Sequence, residues 1–435
     1  MSRREWKRFD AVERIRGGRL TSREAAEVLG LSTRQVRRLR RAVERRGAAG
    51  VVHGNRGRVP SNRVTEQLRA RIVALRRQKY DGFNDQHFTE KLGAVEAVKI
   101  SRASVQRLLR EAGIGPPRQR RAPKHRRRRA RKPQAGVMIL WDGSRHDWLE
   151  GRGPMLCLMG AVDDATGELL PGAHFVEQEC AAGYLTVLKA IAAEKGLPWS
   201  AYMDQHGSLK RNDDHWTLAE ELRGAQEPTQ VGQALQALEI EVIYALSPQA
   251  KGRVERLWGT LQDRLVSELR LAGASTREQA NTVLVRYRPE HNRRFAIRPA
   301  NAVPAWRPVR RGTDLERLCS FAYEATVLND NTVRLAGMII DVPPGPRKRS
   351  YAGARIELRQ LLDASWRVYL RDTVIATVAA RSGGDLRALR RHRRRPPSAA
   401  SVGKTPVALR APSVSPTEVI ASRPHGRGRT ESLSS

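Results

Sequence analysis

Apolar residues keep a helical period up to about residue 114, and from residue 136 onward the pattern alternates between strands and helices. In TSREAAEVLGLSTRQVRRLRRAVERRG, which starts at Thr21, the residues Ala25, Val28 and Leu29 form one apolar face. Thr21 with Glu24, and Ser32 with Gln35, have capping-box spacing, in which two side chains three residues apart satisfy each other's backbone N–H groups. Gly30 ends the first helix, and after Ser32 the apolar face resumes at Val36 and Leu39. Arg34, Arg37, Arg38, Arg40 and Arg41 line the rest of the second helix. A helix, a glycine turn and a basic helix make a helix-turn-helix pattern, predicted for residues 1–52. The plainer reading is a helical hairpin with a solvated basic face; the cations gathered on the second helix favour a nucleic-acid reader.

A second helical, winged or helix-turn-helix-like unit is predicted over 63–114. Residues 64–78 have helical periodicity, 84–93 read as a short helix, and ISRASVQRLLREAGIG makes Ser101 the cap of a basic helix ending at Gly113. Val105, Leu108 and Leu109 face inward, and Arg102, Arg107 and Arg110 outward. The Gly-, Arg-, Asn- and Pro-rich stretch 53–62 joins the two units. Residues 115–134 are almost devoid of apolar side chains and cannot bury a core, so they read as a basic linker that tracks phosphates. A nuclear-localisation run would have a similar composition.

From residue 136 the texture changes. GVMILWDGS is an apolar run ending at Asp142 and its neighbours, and MLCLMGAVDDATGELL reads as a strand, a turn at Asp164–Gly167 and the start of another strand. AHFVEQECAAGYLTVLKAIAAEKG gives a strand and then a helix through Tyr184, Leu185, Leu188 and Ile191. PWSAYMDQHG ends a strand at Asp204, and IEVIYALSPQAKGRVERLWGTLQDRL is a strand, a turn and a helix running from 248 to about 270. Ser247 and Pro248 supply an N-cap and first-turn proline. A second helical stretch covers 276–288. Three early strands followed by alternating strand and helix predict an α/β core over 135–305. Residues 315–380 alternate as short strands and predict a small β-barrel, and the Arg-, Ser- and Pro-rich tail 381–435 is predicted to be disordered.

Charge narrows the partner. Eighty Lys and Arg against forty-five Asp and Glu leave a net charge of +35, which favours a polyanion, with double-stranded DNA the expected one. A membrane is not expected as a partner, because no apolar run is long enough to span one. The three cysteines lie far apart with no CxxC pair, and the histidines have no zinc-finger spacing, so structural zinc is not expected. MSRREWKRF lacks an apolar signal segment, which points to a reducing, cytoplasmic setting with access to DNA. A ribosomal or RNA-binding protein would also be basic, but would leave an α/β core with placed carboxylates unexplained.

Phosphodiester chemistry needs charge neutralised on both the attacking and the leaving oxygen, which two divalent cations about 4 Å apart can supply. Such hard cations take oxygen ligands. Three carboxylates are placed to provide them. Asp142 lies at a buried strand, Asp204 at a strand end, and Glu255 on the long helix, four residues after Lys251 and between Arg253 and Arg256. Taken singly, a strand-end aspartate is more often a turn residue, and a helical glutamate near lysine is more often a solvated pair. Asp163 and Asp164 read as a structural turn, and Asp213, Asp214 and His215 as a polar loop. His146 and His206 follow two of the candidate ligands and would orient a carboxylate or water, or simply pack.

DGSRHDW (142–148), EGRGP (150–154), DDATGEL (163–169), SPQAKGRVERLWGTLQDRLVSELRLAG (247–273) and HNRRFAIRP (291–299) resemble the ISNCY-type insertion-sequence transposases, over roughly residues 1–380. The resemblance implies an integrase core of RNase H-like fold with a mixed five-stranded sheet. It also implies a DDE (Asp, Asp, Glu) triad falling on Asp142, Asp204 and Glu255 as both catalytic and metal-binding residues. Two Mg2+ or Mn2+ ions would occupy each site. DNA strand cleavage and strand transfer at terminal inverted repeats would follow, with the protein a homo-oligomer on element ends and target. Arg34, Arg37, Arg38, Arg41, Arg102, Arg107, Lys251, Arg253 and Arg256 are the candidate DNA contacts. The chain departs from retroviral-type integrases in having no His/Cys zinc module and in an inserted polar loop at 207–230. The competing reading is an inactive or domesticated relative that acts as a DNA-binding regulator.

Overall fold

The computed structural model describes residues 1–57, 63–118, 129–211, 216–245, 252–380, 386, 388 and 389. The N-terminal part is helical: α1 (Arg3–Arg16), α2 (Ser22–Leu29) and α3 (Thr33–Arg46). Thr21 and Glu24 form the reciprocal capping box, and Gly30 closes α2 at φ 61°, a left-handed conformation that suits glycine. At Ser32 only half of the expected box forms: its hydroxyl accepts from the Gln35 N–H, without the return bond. Val36 and Val43 are buried, while Arg34, Arg37, Arg38, Arg40 and Arg41 are exposed. Val28 departs from expectation. It is 73% exposed, because Ala25 and Ala26 take the buried positions between the helices.

The second unit comprises α4 (Glu66–Gln78), α5 (Asp85–Ala94) and α6 (Arg102–Glu111), packed around Ile72, Tyr80, Phe83, Phe88, Val105 and Leu109. Ser101 caps α6 as expected. Arg102 and Arg107 are exposed, but Arg110 turns inward and donates to Asp85 at 2.6 Å and to the Ile114 carbonyl at 2.7 Å.

Among the described residues the central domain holds a mixed five-stranded sheet in the order β3-β2-β1-β4-β5. Its strands are β1 (Met138–His146), β2 (Leu156–Asp163), β3 (His174–Val176), β4 (Ser200–Met203) and β5 (Glu241–Tyr244). β1 pairs antiparallel with β2 and parallel with β4, and β4 pairs parallel with β5. β1 reads as a continuous apolar run because both of its faces are covered. Ile139 and Trp141 pack toward α7 (Ala181–Glu194), and Met138 and Leu140 toward α10 (Gly252–Leu271) and α11 (Arg277–Phe295). α11 runs on through Pro289, past the expected end at 288. Asn281 and Asn292 on α11 turn their side-chain amides to the backbone of Phe175 and Leu169, holding the edge of the sheet as a further strand would. The inserted polar loop at 207–230 contains the short α8 (Leu218–Arg223) among its described residues, with α9 (Gln230–Ala237) following.

The C-terminal region is β-rich but is not a barrel. After the short α12 (Leu315–Leu318) come β6 (Phe321–Thr326), β7 (Thr332–Leu335), β8 (Met338–Asp341), β9 (Arg355–Gln360), β10 (Trp366–Leu370) and β11 (Thr373–Val378). Among the described residues they form an open four-stranded sheet, β11-β10-β9-β6, beside a β7-β8 hairpin. Closure fails because the free edge of β6 is taken by the core. The Gln230 side chain of α9 donates to the Ala322 carbonyl at 2.9 Å and accepts from its N–H at 2.7 Å. That one amide satisfies the outward N–H and C=O of Ala322, as a neighbouring strand would at that residue. Among the described residues no helix is long and apolar enough to cross a membrane.

Candidate active site

The parallel register of β1 and β4 pairs Leu140 with Tyr202. The pairing stops there; Asp142 lies two residues further along β1, and Asp204 directly follows the last residue of β4. Asp142 stands in the middle of β1 on the face covered by α10, and Asp204 stands just past the carboxyl end of the neighbouring parallel strand β4. This is where strand order changes direction and crevices open in α/β sheets. Asp142 faces Gly160 across β1–β2. A Cβ on Gly160 would stand 3.2 Å from the Trp258 ring, so the glycine lets the indole of α10 lie over the sheet. The Trp258 Nε1 donates to Asp142 at 3.0 Å. A glycine on β2 thereby seats α10 and fixes one aspartate.

A carboxylate that sequence reading did not single out approaches from the opposite face. Glu179, just before α7, presses its Oε2 2.8 Å from where a Gly143 Cβ would stand. It accepts from the Tyr184 hydroxyl at 2.5 Å and faces the His206 Nδ1 at 3.5 Å. Burial raises its pKa from the ordinary glutamate value, opposed by Tyr184 and His206 and reinforced by the charges of Asp204 and Asp142. Burial and the charges of Glu179 and Asp142 likewise push the Cys157 thiol up to about 12. Asp142, Asp204 and Glu179 thus share one electrostatic neighbourhood. The only signal for Glu179 in the sequence is an acidic residue directly before a helix, which is more often a capping residue.

His206 belongs to this neighbourhood, and its backbone N–H donates to Asp204 at 3.0 Å. His146 does not. It stacks edge-on against Trp148 at 5.4 Å and lines a separate groove with Gln262 and Asp263, where burial lowers its pKa. Glu255 is exposed in the first turn of α10, three residues before Trp258 and so about 4.5 Å along the helix axis. Among the described residues no three His, Cys, Asp or Glu side chains stand close enough together to hold a metal. The two aspartates offer the oxygen donors a hard divalent cation takes, and Glu255 does not complete the set in this conformation. Lys251, Ser247 and Pro248 lie outside the described residues, as do Asp213, Asp214 and His215.

The aspartates read as a turn have a larger structural part than expected. Asp164 is fully buried and accepts from Arg129 at 2.5 Å, from the Lys132 N–H at 2.7 Å, and from Arg253. Asp163 accepts from the Gly136 N–H at 2.8 Å and from the Thr166 N–H and hydroxyl at 2.8 and 3.0 Å. Arg253, a candidate DNA contact, is therefore engaged with Asp164 and the Arg129 carbonyl, whereas Arg256 is exposed.

A second polar joint ties α5 to the middle of α10. His87 meets Glu268 at 2.6 Å, Lys91 donates to Glu268 at 2.8 Å, Arg264 donates to Glu90 at 2.7 Å, and Asn84 bonds to Asp263. The helix that carries Glu255 therefore also carries the docking surface of the second helical unit.

Comparison with known proteins agrees with this organisation. Residues 8–70 match the family model of a winged helix-turn helix, although the described residues of that stretch contain helices and no strand. Over 82% of this chain and 79% of the other, the sequence is 35% identical to y4bF of Sinorhizobium fredii (strain NBRC 101917 / NGR234), a protein named as a transposase. It is 32% identical to the transposase for insertion sequence IS1202 of Streptococcus pneumoniae, over 72% of this chain and 74% of that one. The HTLV-2 integrase catalytic core domain in complex with magnesium aligns with 35% of this chain and 85% of its own at 17% identity. Its TM-score of 0.23 is too low to carry a statement about fold. With two relatives above 30% identity along most of their length, the protein belongs to the transposases of insertion sequences.

Proposed function

We propose that this chain is an active DDE-type transposase of the ISNCY kind. It binds the terminal inverted repeats of its element and catalyses DNA strand cleavage and strand transfer. The observation that carries the reading is that Asp142, on β1 and held by Trp258 of α10, and Asp204, just past the neighbouring parallel strand β4, share one electrostatic neighbourhood. We read the β3-β2-β1-β4-β5 order as an RNase H-like core over 135–305. The helix-turn-helix unit (1–52), the second helical unit (63–114) and the linker (115–134) are the DNA-holding parts. Exposed Arg34, Arg37, Arg38, Arg41, Arg102 and Arg107 contact the duplex. The β-rich region (315–380) and the tail (381–435) complete the chain, which works as a homo-oligomer on DNA in the cytoplasm.

Asp142 and Asp204 would hold Mg2+ or Mn2+, with Glu255 joining when DNA draws the start of α10 inward. Bound there, two such ions would neutralise charge on the attacking and leaving oxygens. Trp258 fixes the orientation of Asp142, and His206 holds Asp204 through its backbone N–H. Positioning the phosphodiester against these groups supplies most of the rate.

The test is a strand-transfer assay with purified protein, Mg2+ or Mn2+, and labelled terminal-repeat duplex. Asp142→Asn, Asp204→Asn and Glu255→Gln should each remove product and leave duplex binding intact. Wild-type activity in any of the three would overturn that residue's assignment. The alternative, a DNA-binding regulator without catalysis, gains its support from the open arrangement of Glu255. It would be upheld by tight duplex binding with no product from the wild-type chain.

A further inference from the structure

HNRRF, at the end of α11, has no part in the chemistry above. Within it, Asn292 holds the sheet edge and Arg294 pairs with Glu290 at 2.6 Å. His291 is different. It is 1% exposed, and neither ring nitrogen has a hydrogen-bond partner within the protein. Its ring lies between those of Tyr287, at 5.8 Å, and Phe295, at 4.8 Å, and lines a cavity of about 140 Å³. That is room for roughly four or five water-sized volumes, or for one tetrahedral oxyanion.

The remaining walls are cationic. Arg131, Arg253 and Arg256 reach the cavity, with Thr260 beside them. Arg131 is held below its ordinary pKa first by burial and then by the charge of Arg253, with Arg256 adding to the same effect. Of the carboxylates nearby, Asp163 lines the cavity, but three donors already occupy its oxygens. Arg253 and Arg131 are partly engaged, by Asp164 and by the carbonyls of Asp164 and Ala165. Arg256 sits at the rim, exposed and with no side-chain ion pair among the described residues. A buried imidazole without a partner is costly unless something meets it, and the field it faces is positive.

We propose that this cavity between α10, α11 and the β2 turn is a binding site for a single phosphate group. His291 would donate from its wall, Arg256 would close over it from the rim, and the Thr260 hydroxyl stays bonded to the Arg256 carbonyl at 2.9 Å. The phosphate would come either from a phosphodiester of the bound DNA strand or from free phosphate. Only the choice of the DNA strand as source rests on the transposase reading, so a failed strand-transfer assay leaves the site itself standing.

The experiment titrates the full-length protein with inorganic phosphate, followed by calorimetry and 31P line width. Arg256→Gln removes the rim cation. His291→Phe keeps the ring contacts with Tyr287 and Phe295 but removes both nitrogens. Arg334→Gln, on the distant β7, controls for the general basic surface, and circular dichroism checks that each variant is folded. We expect saturable binding of one phosphate per chain, weakened at least tenfold by Arg256→Gln and by His291→Phe but unchanged by Arg334→Gln. Displacement of the phosphate by duplex DNA identifies the strand as the source, and simultaneous binding identifies the free anion. Non-saturable binding, or equal affinity in all four proteins, would overturn the proposal and leave a hydrated core cavity.

Discussion

Two groups of carboxylates lie around the same sheet and differ in which charges stand beside them. Asp163 and Asp164, at the end of β2, are buried among backbone N–H groups and arginines that answer them. Glu179, before α7, is close enough to Asp142 on β1 and to Asp204 after β4 that their charges raise its cost of ionisation. Burial is therefore not what distinguishes a site from a support. A carboxylate surrounded by donors fixes the backbone around it, whereas a carboxylate facing like charges holds a field that a cation or a reacting group can use.

The sharpest way to break that contrast is to neutralise one member of each group. Asp142→Asn should lower strand transfer by on the order of 10²–10³-fold, the usual cost of losing one preorganised charge-stabilising group, while unfolding in urea stays near wild type. Asp164→Asn should behave oppositely. It strands Arg253 and Arg129, and should cost about 2–3 kcal/mol in urea unfolding, less than the about 3–5 kcal/mol of a fully enclosed pair because Arg129 is half-exposed. Retained stability in Asp164→Asn would show that the matched group is not a support.

A third test uses pH. Burial lowers the pKa of His291 to about 4. The unfolded chain therefore takes up that proton first as pH falls below about 6.5, so stability present above that value is lost progressively toward the folded pKa. Between pH 7 and pH 5, in phosphate-free buffer, wild type should lose about 2 kcal/mol relative to His291→Phe. An unchanged difference would place His291 in contact with solvent or an anion.

The smallest effect is expected at Glu179. Its folded pKa is raised, so its contribution is fully present at low pH and is lost as pH rises through the folded value. Glu179→Gln should therefore be more stable than wild type at pH 7, by less than about 1 kcal/mol, and equal to it near pH 3. A destabilised Glu179→Gln at pH 7 would move Glu179 into the matched group.

Local features are legible in the amino-acid sequence. The Thr21 box, the Gly30 stop, the Ser101 cap and the long helix through Glu255 each depend on residues within a turn of one another. The expectations that fail depend on partners far along the chain. Val28 has the right helical phase, but two small alanines allow a closer approach elsewhere on α2. Arg253 looks like a free cation until Asp164 is folded against it. The barrel fails because a glutamine from α9 reaches the β6 edge first.

The sequence by itself determined the order of elements, the basic N-terminal helices and the two strands that carry or directly precede the aspartates, because period, capping and charge are carried by near neighbours. Tertiary structure decided which carboxylates share a field and turned Arg129 and Arg253 toward Asp164. It also brought Glu179 into the site, and it left Glu255 one helical turn from Trp258 without closing onto Asp142. Those outcomes depend on register between strands and on which side chain reaches an edge or a glycine gap, and neither is encoded in the spacing along one segment.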